Sequence, residues 1–66
     1  MQVTVNGETS ELPEGLTVAE LVERTGLADQ RIALERNREI VPRSEFGRTR
    51  LAEGDRVEIV RAIGGG

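Results

Sequence analysis

Polar and apolar residues alternate over Gln2-Val3-Thr4-Val5, the two-residue period of a strand with one buried face. Asn6-Gly7 follows, a pair that accepts positive φ at both positions and marks a two-residue hairpin turn. Glu8 to Leu12 then reads as a second, antiparallel strand, polar enough to lie at a sheet edge, and Pro13-Glu14-Gly15 ends it. The period next becomes helical, with Val18, Leu21 and Val22 on one face. Thr17 and Glu20 stand at the spacing of a capping box, and Leu16 can pack on Leu21 as a hydrophobic staple. Gly26 falls where a left-handed C-cap belongs, and Leu27 can fold back on Val22, so the helix spans Val18 to Thr25.

Arg31 to Glu35 is a third strand with Ile32 and Leu34 on one face, and Asn37-Arg38 is a turn. Glu39-Ile40-Val41 is a short strand closed by Pro42. Arg43 to Arg50 is polar and irregular, with Phe46 as its one anchor. After Leu51, Ala52-Glu53-Gly54-Asp55 is a turn sequence, and Arg56 to Ile63 is the last and strongest strand. A hairpin, a helix and then further strands give an α+β layer architecture. The hairpin-then-helix opening favours a β-grasp arrangement: a mixed sheet of four to five strands covered by one main helix, with the last strand beside the first in the centre. On that last strand Val57 and Ile59 should face the helix, and Glu58, Val60 and Ala62 the other way. Exposed Val60 and Ala62 have two readings, ordinary scattered surface residues or part of a docking patch. Their place just before the terminal glycines favours docking.

Composition narrows the function classes. A chain of 66 residues makes one domain with a thin core, too small to line a deep, walled pocket. The absence of Cys and His removes thiolate sites, disulfides, the usual general base and the commonest metal ligand, so no metal site or resident cofactor is expected. The net charge is −3 with charges mixed along the chain, and Phe46 is the one aromatic residue, which argues against nucleic acid as a partner. No apolar stretch is long enough to cross a membrane, and Met1-Gln2-Val3 does not open a signal peptide, so the expected location is the cytoplasm.

The most informative feature is the ending, Ala62-Ile63-Gly64-Gly65-Gly66. Residues 1–63 are expected to form the domain and residues 64–66 a flexible tail. Glycines lack a Cβ and can enter a channel too narrow for other residues. The one distinctive group at the tip is the α-carboxylate of Gly66. Seen alone, such an ending is more often a frayed terminus or a linker than a slim arm offered to another protein.

Three segments give the ending its context: Glu35-Arg36-Asn37-Arg38-Glu39-Ile40-Val41-Pro42-Arg43, Leu51-Ala52-Glu53-Gly54-Asp55-Arg56-Val57-Glu58-Ile59-Val60, and Ile63-Gly64-Gly65-Gly66. Together they resemble the ThiS family, ubiquitin-like β-grasp sulfur carriers of thiamine biosynthesis that act through a C-terminal Gly-Gly. The resemblance covers nearly the whole chain. It implies that an ATP-dependent activating enzyme of the ThiF type adenylates Gly66, and that sulfur, drawn from cysteine through a desulfurase, displaces AMP to leave a thiocarboxylate. A thiazole synthase of the ThiG type then receives the sulfur. The carrier itself is no enzyme and binds no cofactor; ATP is used by its activating partner. Carried over residue by residue, Gly66 bears the adenylate and the thiocarboxylate, and Gly64 and Gly65 thread the channel. Val60, Ala62 and Ile63 are candidates for partner docking, with Pro42, Arg43 and Phe46 as weaker ones. For Phe46 the preferred reading is a core plug under its loop. Three glycines stand where the minimal motif needs two; the extra one, Gly64, lies on the strand side, so the tip is intact. The alternatives are the small subunit of molybdopterin synthase, a ubiquitin-like modifier conjugated to lysines, and a β-grasp binding module without tail chemistry.

Overall fold

The computed structural model describes residues 1–61. Five strands form one mixed sheet in the order β2-β1-β5-β3-β4. The elements are β1 (Gln2–Val5), β2 (Glu8–Glu11), α1 (Val18–Thr25), β3 (Ile32–Arg36), β4 (Glu39–Ile40) and β5 (Arg56–Arg61). β1 pairs antiparallel with β2 and parallel with β5, and β5 pairs antiparallel with β3. The last strand therefore lies beside the first in the middle of the sheet, and the polar β2 is an edge, as the alternation implies.

Local chemistry accounts for these elements. Asn6 and Gly7 sit at φ 49° and 85°, the left-handed pair that lets a two-residue turn match the strand twist. At the start of α1, the Glu20 amide donates to the Thr17 hydroxyl and the Thr17 amide donates to a Glu20 carboxylate oxygen, at 3.1 and 2.9 Å. These bonds satisfy two donors that the first turn leaves free; the one from the Thr17 amide, with a further bond from the Thr17 hydroxyl to the same carboxylate oxygen, holds the Glu20 carboxyl below its usual pKa range. Gly26, at φ 78°, closes the helix, with its own amide donating to the Glu23 carbonyl and that of Leu27 to the Val22 carbonyl. The predicted Schellman ending is thus the observed one.

The core fills the space between α1 and one face of the sheet. Val3, Val18, Leu34 and Val57, from β1, α1, β3 and β5, have the most completely buried side chains. Leu16 and Leu21, the staple pair, are buried with them, and Leu51 and Phe46 close the end under the long loop. Burying a side chain such as Leu34 contributes about 1.5–3 kcal/mol relative to leaving it in water.

The structure refines several boundaries. β3 begins at Ile32 and extends to Arg36, β2 stops at Glu11, and β4 stops at Ile40. The segment after Pro42 is not irregular throughout: Arg43–Glu45 form a 3-10 turn whose last amides donate to Pro42 and Arg43 carbonyls. Phe46 is buried at the end of this turn, and its carbonyl accepts from the Ala19 amide at 2.9 Å. It is the core plug. The strand expected to run to Ile63 is observed from Arg56 to Arg61; Ala62 and Ile63 lie outside the described residues.

Candidate functional site

β5 leads to the terminal glycines, and everything that fixes β5 fixes the place from which they depart. Val57 and Ile59 point into the core, while Arg56, Glu58 and Val60 are exposed on the opposite face. β1 ends at Val5, before β5 does. The side-chain amide of Asn6 then takes over the ladder: its Oδ1 accepts from the Ile59 amide at 2.7 Å and its Nδ2 donates to the Ile59 carbonyl at 3.2 Å. At the other end, Asn37 Oδ1 accepts from the Arg56 amide at 2.9 Å, and Asn37 Nδ2 donates to Asp55 Oδ1 at 3.0 Å. Asp55 is the one buried charged residue among the described ones. Its second oxygen accepts from the Ala52 amide at 2.8 Å, so its lone pairs are used inside the turn that launches β5. Two asparagine amides thus hold the strand at both ends.

The face of the sheet away from α1 carries the two exposed large hydrophobic residues among the described ones, Val60 at 60% and Ile40 at 70% exposure. Val60 pairs across strands with Ala33, and Ile40 with Glu35, which in turn lies opposite Glu58. The sequence reading placed Val60 on this face and missed Ile40. The two-residue turn at Asn37-Arg38 contains the signal, because it sets Arg36 opposite Glu39 and Glu35 opposite Ile40, and so turns Ile40 away from Leu34. Of the remaining candidates, Ala62, Ile63, Gly64, Gly65 and Gly66 lie outside the described residues. Pro42 precedes the 3-10 turn, and the Arg43 guanidinium lies 5.6 Å from the centroid of the Phe46 ring.

The rest of the surface offers little chemistry of its own. A groove of about 670 Å³ runs between β2 and α1, with Glu8, Glu11 and Arg24 exposed along it. Asn6, the residue that clamps Ile59, lines it too. Among the described residues there is no group of three or more potential metal ligands, and no helix long and apolar enough to cross a membrane.

Comparison with known proteins places this architecture. The family model described as "ThiS family" matches residues 3–66. The chain is 39% identical over its full length to part of a thiazole synthase of Paramagnetospirillum magneticum, and spans about one fifth of the length of that relative (20%). It is 32% identical to the sulfur carrier protein ThiS of Escherichia coli, with both chains covered completely. The crystal structure of the thiamine biosynthesis protein ThiS from Geobacter metallireducens superposes with a TM-score of 0.86 at 36% identity, again over the whole of both chains. That agreement extends to the ubiquitin-like β-grasp topology, in which a central last strand carries the C-terminus. The chain belongs to the ThiS family.

Proposed function

We propose that this protein is a sulfur carrier for thiazole formation in thiamine biosynthesis, acting through the carboxylate of Gly66 and not as a catalyst. The observation that carries the reading is the family match, which runs through residue 66 and so includes the terminal glycines. Residues 1–63 form the β-grasp domain in this reading, and residues 64–66 the functional tail.

The chemistry follows from what a carboxylate lacks. It is a poor electrophile, because its charge is delocalised and its leaving group would be oxide. In the proposed cycle a Gly66 oxygen attacks the α-phosphorus of ATP on a ThiF-type activating enzyme, the bond to the β-phosphate breaks, and pyrophosphate leaves. A desulfurase removes sulfur from cysteine as a persulfide, whose terminal sulfur attacks the acyl carbon; the carbon–oxygen bond to AMP breaks and an acyl disulfide forms. A thiol then reduces its sulfur–sulfur bond and is itself oxidised to a disulfide, and a thiocarboxylate remains. A ThiG-type thiazole synthase takes that sulfur. This partner is supported by relatives in which the matched segment is part of a longer protein called thiazole synthase, since joining two modules in one chain raises their effective concentration for each other. Gly64 and Gly65 let the tail thread the partner's channel, while Val60, Ala62 and Ile63 dock against its rim. The cycle runs in the cytoplasm. The chain has no Cys and no Lys with which its own side chains could trap the activated carboxyl.

The absence of Cys also makes the test clean. The protein is incubated with ATP, an activating enzyme and a sulfur source, then treated with a thiol-alkylating reagent and analysed by intact mass and C-terminal peptide mapping. ATP-dependent alkylation at Gly66 is the expected result. An unmodified Gly66, under conditions where the same enzyme converts a known carrier, would overturn the reading.

A further inference from the structure

At the root of the tail two arginines from distant parts of the chain converge on one residue. Arg61, at the end of β5, donates from Nη2 to the Gln30 side-chain oxygen at 3.1 Å. Arg43, from the 3-10 turn, donates from Nη2 to the Gln30 backbone carbonyl at 2.9 Å and stacks over Phe46. All three residues are exposed. The chain has nine basic residues and an overall charge of −3, so carboxylates are not scarce. Even so, neither arginine is in an ion pair among the described residues; Arg24, Arg31, Arg38, Arg50 and Arg56 share that, and what sets Arg43 and Arg61 apart is their common acceptor. Asp29, next to Gln30 in sequence, is exposed and pairs with neither.

Holding two guanidinium groups on neutral acceptors partly fixes their forks and leaves further donors of each facing solvent. Planar forks of this kind match a carboxylate, so an external anion finds donors already oriented. The place of the pair says where the anion sits. Any protein that takes the tail must pass Arg61 first. Five residues separate Arg61 from the chain end, and fully extended they span at most about 18 Å, at ~3.3–3.6 Å per residue. The reacting carboxylate and the nucleotide phosphates around it are therefore a channel's length away from the pair when the tail is inserted. What faces Arg43 and Arg61 is the mouth of the channel, not its floor.

We propose that Arg43 and Arg61, held on Gln30, form a cationic collar that docks against a carboxylate-lined rim at the mouth of the partner's tail channel. This inference rests on the carrier reading and identifies the chemistry of the partner's rim. The collar steers and orients the tail, so its contribution falls on association and not on the chemical step. Phosphates of nucleic acid are a poorer match, because the chain as a whole is acidic.

The test measures ATP–pyrophosphate exchange by a purified activating enzyme as a function of carrier concentration, at low and high salt, for the wild-type chain, Arg43→Gln/Arg61→Gln and Arg43→Lys/Arg61→Lys. Thermal unfolding checks that each variant is folded, and Arg61→Gln alone serves if the double glutamine variant is not. The glutamine variant is expected to raise KM for the carrier about tenfold at low salt, with kcat changed less than about twofold and the difference shrinking as salt screens the rim. The lysine variant, which keeps the charges, is expected to recover most of the loss. An unchanged KM in the folded glutamine variant overturns the collar, as does a rise that is independent of salt or equally large with lysine. No exchange with the wild-type chain, by an enzyme that activates a known carrier, overturns the carrier reading and the collar together. Exchange with the wild type and no effect of the variants overturns the collar alone.

Discussion

The two hairpins of this sheet are built on the same turn and use it differently. Asn6-Gly7 joins β1 to β2, and Asn37-Arg38 joins β3 to β4; all four residues have positive φ. In the first turn the second position is Gly, which takes φ 85° without steric cost. In the second it is Arg38 at φ 71°, where a Cβ is unfavourable. The asparagines differ too. Asn6 reaches 53 residues along the chain to the backbone of Ile59, while Asn37 reaches the carboxylate of Asp55 and the backbone of Arg56. The conformational preference of asparagine explains why it is suitable at a turn. It does not explain why the two amides both face β5. The comparison teaches that each turn does two jobs, reversing the chain and clamping the central strand, and that the second job differs at the two ends of β5.

The comparison can be broken most severely at Asn37. Asn37→Gly keeps the positive φ but removes the donor to a buried carboxylate, and is expected to cost about 2–3 kcal/mol in urea unfolding, as hydrogen bonds to charged groups do. Asn6→Gly removes two part-buried bonds to neutral backbone groups and is expected to cost about 1–2 kcal/mol. If the second loss exceeds the first, the anchoring of Asp55 is not what makes the two turns unequal. Arg38→Gly should act in the opposite direction, raising stability by about 0.5 kcal/mol. Relief of the left-handed strain is partly offset by the freedom that glycine adds to the unfolded chain.

The smallest effect concerns the open end of the first hairpin. There the Met1 amine donates to a Glu11 carboxylate oxygen and to the Leu12 carbonyl, both at 2.7 Å, with Glu14 at 3.2 Å. Its bond to Glu11 is the main cause that raises its pKa above the ordinary 8.0, against the opposing effect of desolvation. A group with a raised folded pKa stabilises fully below its unfolded pKa, and that contribution is lost as pH rises through the folded value. The urea midpoint should therefore decline slightly above about pH 8, with Glu11→Gln weakening the decline; an identical decline in that variant would exclude the ion pair as its cause.

Much of this molecule was legible from residue order because the relevant interactions are local. The capping box of Thr17 and Glu20, the left-handed Gly26 and the Asn6-Gly7 turn each involve residues within a few positions of one another, and all are as the pattern implied. Alternation along Arg56 to Val60 was enough to send Val57 and Ile59 inward and Val60 outward, because a strand's side chains have no other choice. The sequence by itself also determined the family, through spaced segments that run into the terminal glycines. What only the tertiary structure decided is what depends on separation along the chain. The amide of Asn6 on Ile59, Asn37 on Asp55, and Arg43 and Arg61 on Gln30 all join residues whose proximity no local period encodes. The physical reason is that a hydrogen bond needs its partner within about 3 Å. That distance is set by sheet order and register, which exist only once the whole chain has folded.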